Sequence, residues 1–116
     1  MEKKNVIKEK SFEFAKEIVY LYKVLADKRE FVLSKQLLRS GTSIGANIEE
    51  AIGGQSGKDF FAKLTISYKE ARETHYWIRL LKDTDYLSVE EADSLLKDVD
   101  ELLRIIGSIQ KTLRNS

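Results

Sequence analysis

One histidine, His75, and no cysteine in 116 residues leave this chain few ways to do chemistry. Disulfide scaffolds, thiolate zinc sites and cysteine nucleophiles are excluded, as is any site needing two imidazoles. A di-iron carboxylate centre in a helical bundle takes Glu-x-x-His from each of two helices. Here Arg72 stands three residues before His75 and no second histidine follows. Haem and zinc fail for the same shortage of ligands. Serines are plentiful, but no Gly-x-Ser-x-Gly elbow exists and His75 is the only candidate base. Glu70, Glu73 and His75 are near neighbours on one helix, with nothing to complete a site. The segment Gly41-Thr42-Ser43-Ile44-Gly45 lacks the lysine of a phosphate loop, and Gly53-Gly54-Gln55-Ser56-Gly57-Lys58 has neither the preceding strand nor the spacing. That second loop can still turn backbone N–H groups toward an anion at a helix start, although a helix cap explains it better. No catalytic residue, metal or cofactor is expected, and the chain reads as non-enzymatic. His75 reads as a partly buried histidine with one hydrogen-bond partner.

Binding chemistry is better represented. Lys58, Lys69, Arg72 and Arg79 share a helix face with Phe61, Tyr68 and Tyr76. Cations interleaved with aromatics hold a phosphate backbone while unpaired bases stack. Lys58, Lys69, Arg72, Tyr76 and Arg79 are therefore the candidate nucleic-acid-binding residues, for RNA or DNA, the ordinary alternative being a solvated helix surface. The same helix has one inward stripe, Phe60, Leu64, Ser67, Ala71, Thr74 and Ile78, and a second about 100° around it, Ala62, Ile66, Glu73, Trp77 and Leu80. A bundle helix needs one apolar face. The surplus, with the only tryptophan, points to contact with another subunit through Ile66, Glu73, Trp77 and Leu80, or else to a skewed bundle that buries more of this helix. Net charge is only +1, from 20 basic and 19 acidic residues, so any attraction to nucleic acid depends on spatial segregation. Residues 1–30 carry 8 basic and 6 acidic side chains, residues 88–116 carry 4 and 6.

A hydrophobic period near 3.6 runs through most of the chain and predicts four helices, with no proline and six glycines between them. The first spans about 11–26 with Ser11 as N-cap, and residues 1–10 form a mobile basic arm or a helix extension. The second spans about 31–52, ended by Gly53-Gly54 through the left-handed backbone that glycine accepts. The third begins at Ser56, with Asp59 near capping-box spacing, and reaches about Lys82. The fourth opens on the capping box Ser88-Val89-Glu90-Glu91 and reaches about Leu113. Small and polar residues in the middle of the second helix permit close helix contact, and Asn47 is expected to make a buried hydrogen bond that fixes register. Short connections favour antiparallel neighbours, so the fold predicted is an all-α, up-down-up-down four-helix bundle in one domain. The polar, lysine-rich N-terminus does not resemble a signal peptide, and no apolar run spans a bilayer. A cytoplasmic protein without membrane attachment is expected.

The run Ser43-Ile44-Gly45-Ala46-Asn47-Ile48-Glu49-Glu50-Ala51, then Ser56-Gly57-Lys58-Asp59-Phe60 with Lys63-Leu64, and Ala71-Arg72-Glu73-Thr74-His75-Tyr76-Trp77-Ile78, resembles the bacterial four-helix bundle family named for proteins encoded in intervening sequences of 23S ribosomal RNA genes. The resemblance extends from about Phe12 to Leu113, and Gly53-Gly54 departs from the bulkier or basic residue of many members. It implies up-down bundles that associate as homopentameric rings, with no catalytic residue to carry over. The accessory protein of diversity-generating retroelements is similar in architecture and, as a basic pentamer, binds RNA and a reverse transcriptase. By this analogy the expected partners are further copies of the chain, a nucleic acid, and a protein.

Overall fold

The computed structural model describes residues 5–54 and 56–115. Four helices make up the order: α1 (Val6–Asp27), α2 (Leu33–Ile52), α3 (Gly57–Asp83) and α4 (Val89–Arg114). They run up-down-up-down in a body of 46 × 27 × 21 Å. α2 and α3 share the broadest contact, α1–α2 and α3–α4 follow, and the α1–α4 seam is by far the narrowest. The core runs along the bundle axis through Ile18, Leu25, Leu37, Ile44, Leu64, Ile78, Leu102 and Ile106, all essentially excluded from solvent.

α1 starts five residues earlier than the sequence suggested. Asn5 is its N-cap, its side-chain oxygen accepting from the Lys8 N–H at 3.1 Å. Ser11 is therefore not a cap: it is buried within the helix and its hydroxyl donates to the Lys8 carbonyl. Buried Ile7 continues the spacing of Ser11, Phe14 and Ile18, so the apolar face extends past the lysines that disguised it. Residues 6–10 thus form a helix extension, while an arm over residues 1–4 lies outside the described residues.

Glu30 ends one helix and begins the next. It is buried, and its carboxylate accepts from the backbone N–H groups of Val32, Leu33 and Ser34, the last at 2.7 Å. Those are donors that the first turn of α2 leaves without intrahelical partners. Phe31 and Val32 precede α2 and lie exposed. The left-handed conformation at the turns belongs to Arg29 (φ 65°) and Asp85 (φ 67°), whereas no described glycine has positive φ. Gly53-Gly54 consequently closes α2 by a different device from the one expected. A side chain at Gly54 would run into the Asp59 carboxylate and lie 3.1 Å from the Ala51 carbonyl oxygen. Ser56 caps α3 by accepting from the Asp59 N–H. Ser88 caps α4, accepting from the Glu91 N–H while its hydroxyl donates to the Glu91 carboxylate.

The small residues of α2 bring α1 close. A Cβ built on Gly41 would stand 2.9 Å from both γ carbons of Ile18, and one on Gly45 would stand 3.3 Å from the Ser11 carbonyl oxygen. Register across the α2–α3 seam is held by buried hydroxyls. Ser67 donates to the Ile44 carbonyl at 2.9 Å, and the Ser40 and Thr74 hydroxyls lie 2.9 Å apart. Gln110 of α4 donates to Thr65 of α3 at 3.0 Å. Asn47 is half-buried and donates to Ser43 one turn back in its own helix, and among the described residues it makes no interhelical bond.

Candidate nucleic-acid interface

The α3–α4 seam opens outward as a groove of about 680 Å³, lined from α3 by Tyr68, Arg72, Glu73, His75, Tyr76 and Arg79 and from α4 by Asp100 and Leu103. Three of the five expected nucleic-acid-binding residues, Arg72, Tyr76 and Arg79, meet there. Lys69 is exposed and stands seven residues before Tyr76, two turns away on the same face. Lys58 lies farther along that face, exposed in the first turn of α3. Neither lysine has a partner among the described residues, and the same holds for Arg72.

Tyr76 is held in place from two sides. The Arg79 guanidinium stands 5.9 Å from the ring centroid. The Trp77 ring meets it edge-on, with centroids 5.0 Å apart and planes at 71°. Nearly half of Tyr76 still faces solvent, at 48 % exposure. The groove thus contains an oriented aromatic surface flanked by guanidinium groups, which is what base stacking beside phosphate requires. His75 is half-buried and has the one hydrogen-bond partner expected, Arg79, with Asp100 nearby. Its Nδ1 accepts from Arg79 Nε at 3.0 Å, and its Nε2 lies 3.4 Å from Asp100 Oδ1. Accepting on Nδ1 makes Nε2 the protonated nitrogen of the neutral imidazole.

The two flanks of α4 differ in charge, the α3-facing one mixing Asp93 and Asp100 with basic neighbours. Contacts between Lys82 and Asp93, Tyr68 and Gly107, Thr65 and Gln110, and Phe61 and Arg114 fix which flank faces α3. Helical spacing places exposed Arg104 and Lys111 beside that flank. The opposite flank joins α1 in a second groove of about 300 Å³ containing Glu9, Glu13, Glu17, Asp98 and Glu101, with Lys10. Partial burial and the neighbouring Asp98 carboxylate raise the Glu17 pKa above its ordinary value. Lys10 forms an ion pair with Glu101 at 3.0 Å.

The second apolar stripe of α3 turns toward α2. Glu73 accepts from the Trp77 indole at 2.9 Å and also binds Arg39 of α2, which reaches Glu70 at 3.1 Å. Trp77 is half-buried and packs against the core, Leu80 is half-buried, and Ala62 and Ile66 are exposed, Ile66 at 42 %. Much of the surplus hydrophobicity is therefore used within the chain, as in a skewed bundle. Of the interhelical hydroxyls, Ser67 and Thr74 fall on the inward stripe of α3 and Ser40 lies one turn from Leu37 and Ile44, so helical spacing carries their signal.

Among the described residues, no group of three or more His, Cys, Asp or Glu side chains is arranged to hold a metal ion. No helix among them is long and apolar enough to cross a membrane.

The architecture defines an antiparallel four-helix bundle protein with one aromatic, arginine-bearing groove and one acidic groove. Residues 3–108 match the family model of the 23S rRNA-intervening sequence protein, and the chain belongs to that family. It is similar to a crystal structure from Bacteroides thetaiotaomicron VPI-5482, a protein of unknown function from the S23 ribosomal protein family. The two are 53 % identical with a TM-score of 0.89, over 90 % of this chain and 98 % of the other. No curated protein matches the chain.

Proposed function

We propose that the protein is a non-enzymatic, cytoplasmic, ring-forming helical bundle, pentameric as the family resemblance implies, that binds nucleic acid or a ribonucleoprotein through the α3–α4 groove. The observation that carries this reading is the convergence of unpartnered Arg72 with Arg79 around the half-exposed Tyr76 ring. Lys69 and Lys58 extend the cationic strip along α3. A ring would repeat the strip around its circumference, so that a weak contact per subunit becomes a strong one for a polymer. Binding of a structured RNA, followed by anisotropy across a salt series, tests the reading. Affinity should fall steeply from low to physiological salt as released counterions are replaced. Binding that ignores salt, or no binding at low salt, overturns it.

A protein-interaction role is the second reading, favoured by Ile66, whose exposed side chain stands on the Trp77 side of α3. Ile66→Asp should lower the assembly mass in light scattering if this flank joins subunits. Trp77→Asp is the weaker probe, because half-buried Trp77 also supports the core. An unchanged mass for Ile66→Asp removes Ile66 from the interface.

A further inference from the structure

The α3–α4 groove contains an anomaly for a phosphate-binding surface: a carboxylate, Asp100, opposite Arg72 and Arg79. Glu73 also lines the groove, but its charge is met by Arg39, whose guanidinium binds Oε2 together with the Trp77 indole. Asp100 is different. Its side chain is half exposed, its Oδ1 faces His75 at 3.4 Å, and no partner is found for Oδ2 among the described residues. A free carboxylate repels phosphate, so within a nucleic-acid groove its favourable partner is a base N–H. Guanine is the nucleobase whose Watson–Crick edge presents two adjacent donors, N1–H and the N2 amino group, matching the two oxygens of a carboxylate. Adenine and cytosine each set one amino donor beside an acceptor, and uracil flanks its single N–H with two carbonyls.

We infer that the groove selects an unpaired guanine, stacked on Tyr76 with its Watson–Crick edge on Asp100 and its flanking phosphates on Arg72 and Lys69. This rests on the nucleic-acid reading above and narrows it. A guanine in a duplex has that edge occupied, so the ligand is single-stranded or looped. Arg79 and Trp77 hold the stacking ring before the base arrives, which lowers the ordering cost of capture.

The test uses oligouridines of equal length with one central guanosine, adenosine, cytidine or inosine, titrated by fluorescence anisotropy at fixed low salt. Guanosine should bind about 10-fold tighter than adenosine or cytidine, the scale of one good bidentate base contact. Inosine, which lacks the N2 amino group, should fall between them. Asp100→Asn should erase the guanosine preference while leaving the adenosine oligomer bound at least as tightly, because a repelling charge has gone. Equal wild-type affinity for all four oligomers, or uniform tightening in Asp100→Asn, overturns guanine selection. Either result leaves the nucleic-acid reading standing if binding still weakens with salt and in Arg72→Ala. No binding of any oligomer at low salt overturns both. The wild-type comparison of guanosine with inosine decides the matter even if the variant does not fold.

Discussion

Gly41→Ala is the sharpest test of how the bundle is built. In an ordinary helix interior, replacing glycine with alanine stabilises by about 1 kcal/mol, because the unfolded chain loses freedom and the helix gains a better former. At position 41 the new methyl would stand 2.9 Å from Cγ1 and from Cγ2 of Ile18, and 3.3 Å from its Cβ. Ile18 cannot retreat easily. It is 0 % exposed, and its branching at Cβ leaves one favoured rotamer in a helix. Relief therefore requires α1 and α2 to separate by several tenths of an ångström, and such overpacking costs about 1–3 kcal/mol. Against a propensity gain of about 1 kcal/mol, the net loss is about 0–2 kcal/mol, with about 1 kcal/mol at the middle of the range. Thermal unfolding by circular dichroism, at one fixed protein concentration, reads this as a fall of several degrees. A double-mutant cycle with Ile18→Ala locates the cause. Ile18→Ala alone leaves a cavity and costs about 2–5 kcal/mol, but the Gly41→Ala methyl partly fills it, so the pair should cost less than the sum. Gly107→Ala is the control, because its Cβ meets only the Tyr68 ring, at an ordinary 3.7 Å, and it should stabilise. If Gly41→Ala raises the midpoint as Gly107→Ala does, α1 and α2 are not in the close contact that the small residues of α2 permit.

Three further outcomes follow from the electrostatics. Burial alone would raise the Glu30 pKa, but the backbone N–H groups of Leu33 and Ser34, with Val32, bring it below its ordinary value. Its contribution is therefore complete above the unfolded value of about 4.5 and fades as pH falls through the folded one; Glu30→Gln should destabilise by about 1–2 kcal/mol at neutral pH, with the gap to wild type shrinking in acid denaturation. Glu17 has the opposite sign, since burial and Asp98 raise its pKa, so Glu17→Gln should raise the denaturation midpoint above the folded pKa, with the gain disappearing in acid and in high salt. Lys69→Ala and Arg72→Ala should each reduce the slope of log affinity against log salt by about 1, whereas Tyr76→Ala should weaken single-strand binding by about 1–3 kcal/mol with the slope unchanged.

The helices were legible because period and capping agreed locally. Ser56 and Ser88 each sit just ahead of an apolar-periodic run, and each caps as its position requires. Ser11 misled because the same residue type is a good cap and also a good small contact, and only the three-dimensional approach of Gly45 distinguishes the two roles. The glycine pair after α2 misled for a related reason. Glycine is tolerated where φ is positive and also where a neighbouring group needs the space, and Gly54 makes room for Asp59. Glu30 had no recognisable signature, because it caps from two residues ahead of the Val32 N-cap position. At the candidate groove, Tyr68, Arg72, Tyr76 and Arg79 could be read from one helical wheel, whereas Glu73 and His75 could not. Nor could Asp100 and Leu103, since their place beside Tyr76 depends on how α4 is rotated against α3.

That rotation is also what gives a nearly neutral chain a charged face. Helical spacing puts Arg104, Lys111 and Arg114 on or beside one flank of α4 and Glu91, Asp98 and Glu101 on the other. The two grooves share α4 as a wall, so the acidic cluster and the cations that flank the α3–α4 groove, Lys69, Arg104 and Lys111, lie roughly a helix diameter, about 10 Å, apart. At physiological salt the screening length is about 8 Å, and each groove presents mainly its own charge to a ligand. A polyanion lying against α3 is therefore attracted by its own groove and repelled from the α1 side, which confines it to one flank of the bundle. Neutralising the acidic groove with Glu13→Gln, Glu17→Gln and Asp98→Asn should make binding tighter but less confined: affinity for mixed-sequence RNA rises, while the share of that affinity lost in Arg72→Ala falls. If the triple variant instead keeps its full dependence on Arg72, the acidic groove does not direct the ligand, and the basic groove alone determines where the strand lies.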